Sequence, residues 1–144
     1  MRSHPLQLLV IDGQGGKMGG QLVSALKKAL PKAKCTAIGT NAVATQTMKK
    51  AGADDAATGE NALLVACRKA DIIVGPIGIV IADALIGEMS PAMAAAVGQS
   101  DAVRILIPVN RCDNLVAGVS DCSTGALLQS AVSMVLDAAQ TFGE

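Results

Sequence analysis

Short, continuous runs of apolar residues alternate with helix-length segments along this chain. The runs predict strands over Leu6–Ile11, Lys34–Ile38, Ala53–Ala57, Asp71–Gly75, Val103–Val109 and Leu115–Val119. Strands that are apolar at successive positions, rather than at alternate ones, are typical of a parallel sheet that helices cover on both faces. The pattern therefore predicts an α/β protein with a Rossmann-like, doubly wound, mostly parallel sheet of about five or six strands.

The intervening segments have helical spacing, and most of them end near glycine or proline. They predict helices over Lys17–Leu30, Ala42–Ala51, Asn61–Lys69 and Thr124–Thr141, and two helical pieces between Ile79 and Val97. We expect the two pieces to separate at Ser90, a favoured N-cap, and Pro91, a favoured first helical residue. No linker or repeat interrupts the sequence, so residues 1–144 are expected to form a single Rossmann-like domain.

The first predicted strand leads into a turn of closely spaced glycines and then into a helix. A helix N-terminus offers unpaired N–H groups and a partial positive charge, and glycine lets the main chain approach an anion closely. The turn therefore predicts a phosphate site. Its residues are Asp12, Gly13, Gln14, Gly15, Gly16, Lys17, Met18 and Gly19. The alternative is a sharp strand–helix turn with no ligand.

The spacing Gly13-x-x-Gly16-x-Met18-Gly19 is similar to the cofactor loop of dihydrodipicolinate reductases and, more loosely, of prephenate dehydrogenases. This resemblance implies a bound NAD or NADP diphosphate. A dinucleotide site usually carries a carboxylate after the second strand, where it holds the ribose. This chain has Thr40 and Asn41 there. We expect these two residues either to hydrogen-bond the nucleotide or to cap the following helix.

Two further turns are expected at the same edge of the sheet, because the carboxyl ends of parallel strands lie together. The turn Gly75-Pro76-Ile77-Gly78 follows the fourth strand and is a candidate for contact with the nicotinamide or its ribose. Asn110 and Arg111 follow the fifth strand and are candidates for anchoring a substrate. Arg111 suits a carboxylate or a phosphate, which a guanidinium binds through two parallel hydrogen bonds. The alternative for the turn at residues 75–78 is a plain strand–helix turn without a ligand. The alternative for Asn110 and Arg111 is a surface salt bridge.

Histidine-dependent catalysis is not expected, because His4 is the only histidine. Proton transfer in this chain would depend on Glu60, Asp83, Glu88 or a lysine. We expect Glu60 in the first turn of its helix, where the helix dipole favours a carboxylate, and Asp83 on the exposed face of an apolar helix.

The cysteines and the charges exclude several classes of function. Four cysteines without CxxC spacing make a metal site or a disulfide unexpected, and we expect Cys112 and Cys122 to be buried small hydrophobes. Twelve basic and twelve acidic residues balance, which argues against a nucleic-acid partner. The apolar stretch Ile72–Ala82 is too short to span a membrane, and the first ten residues lack a signal-peptide pattern, so we expect a cytoplasmic protein.

Longer segments extend the resemblance. VIDGQGGKMG, AIGTNAVATQTMKKAGAD, ATGENA, ADIIVGPIGIVIADALIGEMSPAMAAAVGQSDA and ILIPVN resemble a family of small bacterial proteins known only as a conserved domain of unknown function. The resemblance implies a stand-alone Rossmann-like domain and carries no activity with it.

The sequence favours a protein that binds a dinucleotide, NAD(P)(H), as a sensor or accessory subunit. The short chain and the missing catalytic histidine support that class, and the apolar last helix suggests a homodimer. One alternative is a small NAD(P)-dependent oxidoreductase whose substrate site is shared across the homodimer, with Asp83 or Glu60 as the proton carrier. Another is a protein that binds coenzyme A or a mononucleotide.

Overall fold

A computed structural model of the protein describes residues 4–109, 114–119 and 122–143. Five strands form one parallel sheet in the order β3-β2-β1-β4-β5. The strands are β1 (Gln7–Asp12), β2 (Lys34–Gly39), β3 (Asp55–Thr58), β4 (Ile72–Pro76) and β5 (Val103–Ile107). The α-helices are α1 (Lys17–Ala29), α2 (Ala42–Lys50), α3 (Glu60–Lys69), α4 (Pro91–Gln99) and α5 (Thr124–Gln140). The prediction of a parallel, Rossmann-like α/β fold is confirmed.

The two faces of the sheet support separate apolar layers. Along β1, Leu8 and Val10 pack in the layer that contains residues of α1, α2 and α5, whereas Leu9 and Ile11 pack in the layer of α3 and α4. All four side chains are at most 1% exposed. Because both faces of the strand are covered, its sequence is apolar at successive positions instead of alternating.

The order of the strands places a crevice at the carboxyl ends of β1 and β4. These two strands are neighbours in the sheet, but the chain after β1 enters α1 on one face and the chain after β4 continues to α4 on the other. Loops that leave neighbouring strands in opposite directions open a gap between them, and α/β proteins bind ligands there.

Two of the predicted elements are wrong. Residues 115–119, predicted as a sixth strand, form a turn with Gly118 at φ 82°, and the Leu115 side chain is 94% exposed. The first helical piece after Ile79 is absent as well, because only a single 3-10 turn (Ile77–Val80) precedes an irregular segment. The β-branched residues of that turn disfavour an α-helix. The second piece is α4, and Ser90 caps it by accepting a hydrogen bond from the Met93 N–H at 3.2 Å.

The described residues bear on three expectations, which concern a membrane span, a metal site and the apolar last helix. No helix among them has the length and apolarity that a bilayer span requires. Within the same ranges no three His, Cys, Asp or Glu side chains lie close enough together to hold a metal ion. Helix α5 buries Ala131, Val135 and Ala139 against the sheet and leaves Met134 54% exposed.

Asp54 connects α1, β2 and the start of β3. One carboxylate oxygen accepts hydrogen bonds from the Cys35 N–H at 2.8 Å and from the Lys27 Nζ at 2.9 Å. The hydrogen bond from Cys35, assisted by Lys27, outweighs burial and holds the pKa of Asp54 below its ordinary value.

Replacing Asp54 by alanine is expected to lower the free energy of unfolding by about 1 kcal/mol, because it leaves the buried Cys35 N–H without a partner. The Lys27 contact adds little, since the Asp54 side chain is 41% exposed. A lowered pKa contributes stability that is complete above the ordinary value of 3.8 and is lost as the pH falls through the folded-state pKa. Urea denaturation at several pH values should therefore show the two proteins converging at low pH.

Asp55→Ala is the matched control. The Asp55 carboxylate lies 2.9 Å from the Lys34 Nζ, both side chains are largely exposed, and we expect a change within about 0.5 kcal/mol. Equal losses in the two variants would contradict the assignment of the effect to the Cys35 N–H.

Candidate functional site

The glycine loop connects β1 to α1 at the crevice. Gly16 is the N-cap of α1, with φ 73°, and its N–H donates to the Gly13 carbonyl at 2.9 Å. A Cβ atom at Gly16 would lie 2.7 Å from the Ala44 Cα of α2, and one at Gly19 would lie 2.8 Å from the Asp12 Cβ. These two glycines therefore let α1 pack closely against α2 and β1, in addition to shaping the turn.

Asp12 fixes the loop to the end of β1. Its two carboxylate oxygens accept hydrogen bonds from the Gly13 N–H at 2.8 Å and the Gly19 N–H at 2.7 Å. The side chain is only 6% exposed, and this burial, assisted by the nearby charge of Glu88, raises the pKa of Asp12 against the effect of the two hydrogen bonds. Asp12 thus supports the loop from within, and its oxygens are already engaged.

A cavity of about 410 Å³ lies between the N-termini of α1 and α5. No hydrogen bond joins the N–H groups of Gly15, Lys17 and Met18 to another described residue, and the same holds for those of Thr124 and Gly125 on the opposite wall. The described residues that line the cavity are Asp12, Gly13, Gln14, Gly15, Gly16, Lys17, Met18, Gln21, Leu85, Val109, Thr124, Gly125 and Leu128. The structure therefore brings together all of the predicted glycine loop except Gly19, whose N–H is bonded to Asp12.

The electrostatics of this cavity favour an anion. Two helix N-termini direct their partial positive charges at it, and Lys17 adds a full one. Of the described lining residues, only Asp12 carries a carboxylate, which is buried and bonded to the loop. The wall also contains the side chains of Leu85, Val109 and Leu128, which offer an apolar surface to the rest of a ligand.

Thr40 and Asn41 lie beside the glycine loop, and a carboxylate from a distant segment meets them there. Glu88 accepts hydrogen bonds from the Gln14 N–H at 2.8 Å, the Thr40 Oγ1 at 2.6 Å and the Asn41 Nδ2 at 3.0 Å. Burial opposes ionisation of Glu88, but the three hydrogen bonds outweigh it and hold its pKa below the ordinary value. Asn41 also caps α2, because its Oδ1 accepts from the Ala44 N–H at 2.9 Å. The capping interpretation of Asn41 is thus correct.

Residues 81–89, which we call the strap, carry Glu88 over the glycine loop. Within the strap, the Asp83 N–H donates a hydrogen bond of 2.7 Å to the carbonyl of Met89, its last residue. Three non-glycine residues of the strap, Asp83, Leu85 and Ile86, have φ values of 65°, 59° and 56°. Side chains rarely adopt this left-handed conformation, which costs on the order of 1–3 kcal/mol at each residue. The strap is therefore a strained segment held in place by its contacts.

The end of β4 and the turn that follows it lie beneath the strap. Gly75, Pro76 and Gly78 are buried and Ile77 is half-buried. A Cβ atom at Gly78 would lie 3.5 Å from the Leu85 Cδ2, so Leu85 of the strap packs on this turn. The four residues do not line the cavity between α1 and α5.

The remaining predicted residues are dispersed. Glu60 is the first residue of α3, as predicted, and accepts a hydrogen bond from the Ser90 Oγ. Asp83 is exposed as predicted, but it lies in the strap and not in a helix. Cys122 is exposed, so the prediction that it is buried is wrong: it lies just before the N-cap of α5, outside the apolar layers. Asn110, Arg111 and Cys112 lie outside the described residues.

The sequence did not identify Glu88 as a residue of the loop, nor the far wall formed by Thr124, Gly125 and Leu128. Glu88 is separated by 74, 48 and 47 positions from the residues whose groups it accepts, and no local pattern reveals that distance. The N-cap Ser123, whose Oγ accepts from the Ala126 N–H, is a sequence signal for the start of α5. It does not reveal that α5 begins opposite α1.

Comparisons with known proteins give a family and a distant similarity to solved structures. Residues 7–140 match a family model described as "Domain of unknown function (DUF3842)". No curated protein matches the chain. The crystal structure of a dodecameric FMN-dependent UbiX-like decarboxylase from Escherichia coli O157:H7 is 16% identical, with a TM-score of 0.46 over 96% of this chain and 95% of that one. At this similarity, FMN and the dodecamer are properties of that protein alone.

Proposed function

This chain belongs to the DUF3842 family, and we propose that it binds the phosphate groups of a nucleotide in the cavity between α1 and α5. The observation that carries the proposal is the convergence of two helix N-termini on one cavity. Their first N–H groups bond to no other described residue, and the described lining holds no available carboxylate. Backbone N–H groups at a helix N-terminus bind phosphate in many α/β proteins. Here both walls present them.

The dimensions and the lining suit a nucleotide. A volume of about 410 Å³ is within the range of small-molecule sites, and the apolar side chains of Leu85, Val109 and Leu128 suit the ring system that a phosphate carries. We propose NAD or NADP as the first candidates. Their diphosphate would bind the N–H groups of Lys17 and Met18, with the adenosine directed to Thr40 and Asn41.

A mononucleotide or coenzyme A is the second candidate, and the position of Glu88 favours it. Glu88 and the strap occupy the Thr40–Asn41 side of the loop in this structure, while the cavity on the α5 side is open. A ligand confined to the α5 side would therefore bind without displacing the strap.

We propose that the protein is a sensor or accessory subunit rather than an oxidoreductase. The described cavity residues include no histidine, and the only carboxylate among them, Asp12, has both oxygens hydrogen-bonded to the loop. Lys17 is the one further described lining residue of the types that we named as proton carriers, and we assign its charge to binding the phosphate. The half-exposed Met134 of α5 supports the accompanying proposal of a homodimer.

Isothermal titration of the wild-type protein tests the proposed function. We expect at least one of NAD, NADH, NADP, NADPH, ADP, ATP and coenzyme A to bind, and we expect inorganic pyrophosphate to compete with it, because the site recognises phosphate. Adenosine, which lacks the phosphates, is the control and is expected to bind at least about tenfold more weakly. Binding of none of these ligands, or equal binding of adenosine, would contradict the proposal.

A further inference from the structure

The strap closes one side of the glycine loop through a polar and an apolar contact. The polar contact is Glu88, which accepts hydrogen bonds from Gln14, Thr40 and Asn41. The apolar contact is Leu85, which is 4% exposed and packs over Gly13: a Cβ atom built there would lie 2.8 Å from the Leu85 Cδ1 and 2.6 Å from the Glu88 Oε1. No space remains between the strap and this part of the loop.

The groups that Glu88 engages are the donors that a nucleotide would need at this position. A backbone N–H, a threonine hydroxyl and an asparagine amide are the usual partners of ribose hydroxyls and phosphate oxygens. The Glu88 carboxylate accepts hydrogen bonds from all three of these donors, so it occupies the position at which a polar group of a ligand would bind.

We infer that the strap is a gate, and that a dinucleotide enters the Thr40–Asn41 side of the site only when it displaces Glu88 from Gln14, Thr40 and Asn41. This inference rests on the proposed function. It divides the site into an open part between α1 and α5, which takes the phosphates, and a gated part, which takes the second half of a dinucleotide.

The charges and the backbone of the strap both favour its release. The Glu88 carboxylate lies near enough to Asp12, also an acid, for the two charges to repel each other, which disfavours the closed strap. Asp83, Leu85 and Ile86 hold left-handed conformations that relax when the strap leaves the loop. Ile86 is 92% exposed, so its side chain adds little to hold the closed state.

Glu88→Gln tests the gate, because glutamine keeps the length of the side chain and removes its charge. NAD and inorganic pyrophosphate are titrated into the wild-type protein and the variant, and amide hydrogen exchange of residues 81–89 is measured with and without each ligand. We expect the variant to bind NAD at least about fivefold more tightly and pyrophosphate with unchanged affinity. We also expect NAD, but not pyrophosphate, to increase exchange in the strap of the wild-type protein.

Glu60→Gln is the matched control, because Glu60 also accepts a hydrogen bond from a hydroxyl, the Ser90 Oγ, but it is exposed and no hydrogen bond joins it to the glycine loop. Its NAD affinity is expected to equal that of the wild type. Weaker or unchanged NAD binding by Glu88→Gln, together with intact pyrophosphate binding, would overturn the gate and leave the proposed function standing. Failure of pyrophosphate and of every nucleotide to bind either protein would instead overturn the proposed function, and the gate with it.

Discussion

Replacing Gly16 by alanine is expected to lower the free energy of unfolding by about 3 kcal/mol. Two effects add at this position. The backbone has φ 73°, which an L side chain adopts only with strain, and the new Cβ would lie 2.7 Å from the Cα and 2.8 Å from the carbonyl oxygen of Ala44. The atoms that it meets are backbone atoms of α2, so relief requires α1 and α2 to move apart. Urea denaturation followed by circular dichroism measures the loss.

Gly15→Ala is the control for this prediction. A Cβ at Gly15 has no neighbour within 4 Å, and its φ lies outside the left-handed region, so we expect a change within about 0.5 kcal/mol. A comparable loss in the two variants would show that the loop needs glycine for flexibility and not for packing. Because Gly16 is tied to the fold, loss of ligand binding in a Gly16 variant would not be separable from loss of structure.

Gly15→Asp is expected to weaken nucleotide binding by at least about 100-fold without unfolding the protein. The position has room for a side chain and lines the cavity beside the N–H groups of α1. A carboxylate there takes the place of the phosphate and repels it. Titration of the ligand that binds the wild type, with the free energy of unfolding measured in parallel, tests the prediction.

Two companion variants sharpen this result. Gly125→Asp introduces the same carboxylate on the opposite wall, at the N-terminus of α5, and is expected to weaken binding in the same way while the helix dipole tolerates the charge. Gly98→Asp, in α4, also has no neighbour within 4 Å but lies outside the cavity, and its affinity is expected to match the wild type. Full binding by Gly15→Asp and Gly125→Asp would mean that the ligand binds elsewhere.

Local chemistry made the fold and the loop predictable from the sequence. The uninterrupted apolar residues of β1 require cover on both faces, and the order of strand, glycines and helix leaves little freedom after Asp12. Ser90 and Pro91 marked the start of α4 because a cap and a first helical proline act over one turn. Such signals depend only on neighbouring residues.

The errors arose where tertiary contacts decide the structure. The segment Leu115–Val119 has the apolar content of a strand, but Gly118 turns the chain and no described strand pairs with it. The strap has the composition of a helix and instead contains three left-handed residues, which its contacts with the loop maintain. The sequence shows Glu88 only as an acid, because its three partners become its neighbours only after the sheet has formed.

The two hydrogen bonds of Asp12 affect the thermodynamics of any ligand that binds the loop. They fix Gly13 and Gly19 before a ligand arrives, so the loop is preorganised and the conformational entropy of ordering it is lost during folding rather than during binding. Binding to the open part of the cavity should then resemble association with a rigid surface, with little change in backbone order. If the strap is the gate that we infer, the slow step in loading a dinucleotide is the displacement of the strap from Gln14, Thr40 and Asn41.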